Sequence, residues 1–215
     1  MALRYIVGSS GSGKSDYLYR ELLVQADQNP DRNFYLIVPE QFTMQTQKEL
    51  VRRAEQHVIM NIDVVSFERL AFRIVEETGR TQKILEDTGI RLILRKLAQE
   101  QKENLTVFRA NIGRMGYIDQ MKSMLSELVQ YGVTPEDLRE IIGRMRQADG
   151  LKDKLQDVLV LYQTFENYLS GHYITAEHLL DALYDTVGES DHLRQAVLAF
   201  DGFTGFTPVQ MKLMG

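Results

Sequence analysis

GSSGSGKS, residues 8–15, is the stretch on which the fold turns. An apolar run, LRYIV (residues 3–7), stops abruptly at it, and helix-forming residues begin directly behind it. Gly8, Gly13, Lys14 and Ser15 fit the pattern G-x-x-x-x-G-K-[ST]. Each residue type has a chemical reason for its place. Glycine admits positive φ angles and lets backbone N–H groups turn inward with no side chain in the way. At the N-terminus of a helix such donors form a concave anion site favoured by the helix dipole. Lys14 can reach the β- and γ-phosphates of a nucleotide, and the Ser15 hydroxyl can ligate Mg²⁺. The competing reading is a flexible Gly/Ser linker. The flanks favour the phosphate loop: LRYIV has strand composition, and SDYLYRELLVQ (residues 15–25) carries Leu18, Leu22 and Leu23 at helical spacing. The candidate ATP-binding residues are therefore Gly8, Ser9, Ser10, Gly11, Ser12, Gly13, Lys14 and Ser15, with Ser15 also on the metal.

Working outward, NFYLIV (residues 33–38) is a second strand-length apolar run, bounded by NPDR and Pro39. Having no polar face, it suits a strand covered on both sides, as in a parallel sheet. A helix is expected in QFTMQTQKELVRRAEQ (residues 41–56), packing through Phe42, Met44, Leu50 and Val51. A third strand is expected within residues 58–65 and another helix in SFERLAFRIVEETG (residues 66–79). Strand and helix alternate, the mark of an α/β layer. From residue 84 to 187 strand-like runs disappear and helical periodicity takes over. In residues 117–131 the apolar positions are Tyr117, Ile118, Met121, Met124, Leu125, Leu128 and Val129. In residues 151–169 they are Leu151, Leu155, Val158, Tyr162, Phe165 and Leu169. TPED, from Thr134, offers an N-cap, a proline at the first helical position and an acid at the third. About five helices are expected here. QAVLAF (residues 195–200) then returns to a strand that resumes the sheet, so the helical block reads as an insertion. The expected fold is α/β: a P-loop NTPase (RecA-like) parallel sheet core with a large all-helical insertion. The core is expected in residues 1–83 and 191–215, the insertion in residues 84–190.

The bulk composition sets outer limits. The chain has 215 residues, 44% apolar and 26% charged, which suits a globular protein with a real core. It has no cysteine, which removes disulfides, thiolate metal sites, iron–sulfur ligation and cysteine nucleophiles from this stretch and is compatible with a reducing cytoplasm. No apolar run approaches transmembrane length, and residues 1–20 lack the basic flank and apolar core of a secretion signal. A net charge of −5 argues against indiscriminate nucleic-acid binding by bulk charge, while leaving room for a local basic groove. FDGFTGFTPVQMKLMG (residues 200–215) reads as strand, loop and first helical turn, the ending expected of a fragment.

A phosphate loop needs a carboxylate to hold Mg²⁺, and such an acid typically closes an apolar strand. Asp201, closing QAVLAF, is the candidate, against the plainer reading of an acid capping a strand end. The next position, where many hydrolysing relatives carry a glutamate that handles the attacking water, is Gly202. Glycine neither polarises water nor accepts a proton, so nucleotide binding is better supported than rapid hydrolysis. His57, His172, His178 and His192 show no metal-ligand pairing. Arg139, Arg144 and Arg146 read as a solvated helix face.

IVGSSGSGKS (residues 6–15), VPEQFT (residues 38–43), VVSFERLAFRI (residues 64–74) and FDGFTGFTPVQ (residues 200–210) together resemble superfamily 1 helicases of the UvrD type, and among them the AddB-type subunits of bacterial helicase–nucleases. The resemblance spans the whole chain. It implies a motor-like domain called 1A with a helical insertion called 1B. It also implies ATP and Mg²⁺ as ligands, Gln210 as a sensor of the γ-phosphate, and Gln41 and Thr43 near DNA or nucleotide. VVSFERLA resembles a segment that contacts single-stranded DNA. For the full-length protein it implies a heterodimer with AddA in DNA repair, a role in reading the hotspot Chi, and a nuclease domain with an iron–sulfur cluster in a C-terminal part that this cysteine-free stretch does not contain. The departures are Gly202 and the absence of an adenine-reading glutamine motif in the seven residues before Gly8. The second motor domain with its arginine fingers is also missing, so the fragment is not expected to act as an enzyme alone.

Two other functions compete. A stand-alone P-loop kinase of a small molecule would use the same GSSGSGKS, with the helical block as a lid. A scaffold with a vestigial nucleotide site would account for Gly202.

Overall fold

The structure is a computed structural model and describes residues 3–55, 57–79, 83–145 and 150–214. In chain order its elements are α1 (Lys14–Gln28), β1 (Phe34–Ile37), α2 (Thr43–Arg53), β2 (Ile62–Val65), α3 (Phe67–Glu77), β3 (Lys83–Ile84), α4 (Asp87–Glu100) and α5 (Met115–Gln130). They continue with α6 (Pro135–Arg144), α7 (Gly150–Leu169), β4 (Tyr173–Ile174), α8 (Ala176–Thr186), α9 (Asp191–Arg194), β5 (Val197–Phe200) and α10 (Pro208–Met214). The fold is mixed α/β and mostly helical. It divides into two compact units, residues 1–79 with 183–206 and residues 80–182 with 207–215.

The first unit is built on a three-stranded parallel sheet in the order β2-β1-β5. Phe34 lies opposite Ile62 on one side and Val197 on the other, and Ile37 opposite Val65 and Phe200. β1 is buried at every position because helices cover both of its faces. Phe34, Leu36 and Val38 pack with Tyr19, Leu22 and Ala26 of α1 and Leu50 of α2. Tyr35 faces the other way, where the Arg73 guanidinium of α3 sits 5.8 Å from its ring centre. This two-sided cover is the reason the run is apolar without alternation. Ser66 caps α3, its hydroxyl accepting from the Arg69 N–H at 3.3 Å.

Two expectations for this unit need correction. LRYIV forms no strand: Leu3, Tyr5 and Val7 are 78%, 78% and 90% exposed. β1 already has both neighbours, so it offers no edge to a further strand. Arg4 instead ties the segment to α1 through Glu21 and Tyr17. The third strand is also shorter than expected and begins only at Ile62. Val58 and Met60 ahead of it are exposed, and His57 takes a left-handed φ of 53°.

In the second unit, α4 to α7 enclose one apolar core. Leu94 and Leu97 come from α4, Met121 and Leu125 from α5, Leu138 and Ile142 from α6, and Val158, Leu161 and Phe165 from α7. The buried stripes are narrower than the apolar pattern suggests, for Met124 and Leu151 are exposed. α6 starts with a full capping box. The Thr134 hydroxyl accepts from the Asp137 N–H at 3.1 Å, the Asp137 carboxylate accepts from the Thr134 N–H at 2.9 Å, and Pro135 stands at the first position. Those bonds hold the Asp137 carboxyl below its ordinary range. The segment after α4 is fixed by Asp157 of α7, which is buried. Its carboxylate accepts from the backbone N–H groups of Thr106, Val107 and Phe108 at 2.7 to 2.9 Å, and from the Thr106 hydroxyl at 3.1 Å. A small parallel ladder, β3 with β4, interrupts the helices. Two-residue strands carry no readable periodicity, so no pattern of residues announces it.

Candidate functional site

Residues 8–13 form an exposed loop that turns into α1. The turn needs glycine: Gly11 has φ of 75° and Gly13 has φ of 84°. Gly8 is constrained for a different reason, since a Cβ there would lie 2.4 Å from Ser12 Oγ and displace that hydroxyl. The Ser12 N–H donates to the Ser9 carbonyl at 3.3 Å, and the Tyr17 N–H to the Gly13 carbonyl at 2.9 Å, closing the first helical turn. The Lys14 ammonium donates to the Gly8 carbonyl at 2.9 Å and to the Ser9 carbonyl at 2.7 Å. The lysine thus arches back over the loop and satisfies its charge on the loop's own oxygens.

Behind the loop stands the end of β5. The Ser15 hydroxyl donates to Asp201 Oδ1 at 2.9 Å, and the Tyr19 phenol donates to Asp201 Oδ2 at 2.7 Å. Two residues four apart on one helix share a face, so α1 presents both donors to one carboxylate. Ser15 and Asp201 are the pair that the sequence pattern puts on the metal. Tyr19 is absent from that pattern; its spacing from Ser15 is the one signal that could have found it. Burial pushes the Tyr19 phenol up to about 12, and its bond to the Asp201 carboxylate adds to the rise. The Arg53 guanidinium lies 5.7 Å from the Tyr19 ring centre and is itself paired with Asp16 and Glu49.

A hydroxyl and a carboxylate at this distance form a hard oxygen pair of the kind Mg²⁺ takes alongside water and phosphate oxygens. Among the described residues no three His, Asp or Glu side chains gather as an all-protein metal cage. The donor set therefore suits a cation shared with an anionic ligand.

The segment leaving Asp201 is shaped by aromatic packing. The Phe67 ring centre lies 5.8 Å from that of Phe200, 5.6 Å from Phe203 and 6.3 Å from Phe206. Gly202 takes a left-handed φ of 77°, with Pro39 of the VPEQFT segment beside it. Within that segment Gln41 is exposed, whereas Thr43 is buried and spends its hydroxyl on the Glu40 carbonyl at 2.9 Å.

Gln210 falls in the other compact unit, at the start of α10. Its side-chain oxygen accepts from the Thr207 N–H at 3.0 Å, and its own N–H donates to the Thr207 hydroxyl at 3.3 Å, a reciprocal cap. Arg139 and Arg144 are exposed and paired with Glu136 and Glu140, while Arg146 lies outside the described residues.

The class these features define is a parallel α/β protein in which a glycine-rich loop and helix meet a strand-end carboxylate. A family model described as "ADDB, N-terminal" matches residues 5–215, and the chain belongs to that family. Relatives named as a subunit of an ATP-dependent helicase/deoxyribonuclease align along its full length. The protein from Lachnoclostridium phytofermentans is 41% identical over 215 residues, covering 100% of this chain and 19% of the relative. Those from Alkaliphilus metalliredigens and Anoxybacillus flavithermus are 34% and 36% identical, again covering 100% of this chain and 19% of each relative. The chain therefore spans about a fifth of the length of these curated relatives. Among the described residues no helix is long and apolar enough to cross a membrane.

Proposed function

We propose that this chain is the N-terminal, helicase-like part of a helicase–nuclease subunit that acts in double-strand break repair, and that its glycine-rich loop binds ATP with Mg²⁺. In this reading residues 1–83 and 191–215 form a P-loop domain of the 1A type, and residues 84–190 its 1B insertion. The observation that carries it is the Ser15–Asp201 bond, which brings the last residue of the phosphate-loop pattern to the strand-end acid across 186 positions of sequence.

Backbone N–H groups around Gly11 and Gly13, at the start of α1, supply the anion site. Lys14 exchanges the carbonyls of Gly8 and Ser9 for phosphate oxygens. Ser15 and Asp201 hold Mg²⁺, which neutralises phosphate charge. Gly202 supplies no base for water, which favours binding over rapid hydrolysis. Gln210 is the γ-phosphate sensor of this reading. Partnership with an AddA-type motor subunit and a share in the single-stranded DNA path follow from the family and the names of its members. Membership in that family is also what turns the reading away from a stand-alone small-molecule kinase.

The test is ATP binding by the full-length protein, native against Lys14→Ala. Binding should weaken by about tenfold or more once the ammonium is gone. Equal binding by the two would remove the loop from consideration as the nucleotide site.

A further inference from the structure

Asp201 is gripped by two donors, and only one of them belongs to the phosphate-loop pattern. The other, Tyr19, sits in very different surroundings. The loop is exposed from residue 8 to 13. Tyr19 is 8% exposed and packs with Leu22, Phe34, Leu36 and Leu50 in the sheet-covering core. The Arg53 guanidinium lies over its ring, and Thr46 of α2 supplies a second hydrogen-bond partner for its phenol. The phenol oxygen is therefore placed by the core, independently of what the loop does.

A buried phenol needs one partner, and Thr46 already supplies it. The bond to Asp201 Oδ2 is thus additional, and its effect falls on the carboxylate. Asp201 stands at a strand end, followed by Gly202 in a left-handed turn, so its neighbour adds no side chain to restrain it. With Oδ2 held at 2.7 Å by Tyr19, Oδ1 is left facing Ser15 at 2.9 Å.

We propose that Tyr19 is a positioning residue: by holding one oxygen of Asp201 it keeps the other aimed at the place beside Ser15 where the cation of a magnesium–nucleotide binds. The proposal rests on the nucleotide-binding reading above and deepens it. It assigns the orientation of the metal-side acid to the hydrophobic core, whereas affinity for the phosphates comes from the loop. Phosphate affinity and metal enhancement of that affinity are then separable by mutation.

The experiment measures ATP affinity of the full-length protein with Mg²⁺ and with EDTA, for native, Tyr19→Phe, Thr46→Val and Lys14→Ala proteins, alongside their melting curves. Tyr19→Phe should leave the EDTA affinity within about twofold of native and reduce the Mg²⁺ enhancement by about tenfold. Thr46→Val keeps both Tyr19 and Asp201 in place and should retain most of the enhancement. Unchanged enhancement in Tyr19→Phe would overturn the proposal. So would equal losses with and without Mg²⁺, the mark of a merely loosened core, or a loss in Thr46→Val as large as that in Tyr19→Phe. Lys14→Ala reports on the underlying reading: if it binds ATP as native does in EDTA, the nucleotide site itself is wrong, whatever Tyr19 does.

Discussion

Gly202 directs an added Cβ to within 3.5 Å of the Pro39 ring while holding φ at 77°. The distance is ordinary contact, so the backbone angle is what reserves the position for glycine. A left-handed angle costs an L-residue about 1–2 kcal/mol, and a glutamate installed here would start from a turned backbone. Gly202→Glu is therefore expected to lower stability by about that amount and to leave ATP turnover unchanged in a complex whose partner motor is disabled. Denaturant midpoints and phosphate release read the two effects. A clear rise in turnover would show that only the side chain, and not the backbone, had been lost for hydrolysis.

Asp157 is the polar keystone of the helical unit. Four donors converge on its buried carboxylate, three of them backbone N–H groups of residues 106–108. Asp157→Asn turns one acceptor oxygen into a donor facing donors. The expected cost is about 2–3 kcal/mol, with hydrogen-exchange protection lost first around residues 105–112. Uniform loss across the first unit instead would place the anchoring elsewhere.

His178 carries a pH dependence with a definite sign. Burial alone would lower it, but the ion pair with Glu166 at 3.2 Å and the nearby Glu177 and Asp181 more than offset that, so it sits above its ordinary value. Thr175 meets its other ring nitrogen at 2.9 Å. A raised value contributes stability fully below the unfolded value of about 6.5 and loses it as pH rises through the folded one. The stability gap between native and His178→Gln proteins should therefore be largest near pH ~6 and shrink toward pH ~9. A gap that widens with pH would reverse the assignment.

The parts of the fold with strong local signals are legible in the sequence. The apolar run of β1, the capping box at Thr134 and the glycine-to-serine loop each state their structure within a few residues. Asp201 is legible because it ends an apolar run. What escapes depends on partners far away in sequence. LRYIV has strand composition, yet a strand also needs a free edge to pair with, and composition says nothing about edges. Met124 and Leu151 fit a helical stripe whose true width is set by the neighbouring helices. Tyr19 reads as one more core aromatic until the end of β5 is brought beside it.

The central claim is that the loop grips the β- and γ-phosphates, so the most direct measurement compares ATP with AMP. Equilibrium titration of the full-length protein in Mg²⁺ should give ATP an affinity about a hundredfold or more above that of AMP, since AMP lacks the groups that Lys14, Ser15 and Asp201 serve. Equal affinities for the two, or no measurable ATP binding at all, would contradict the account.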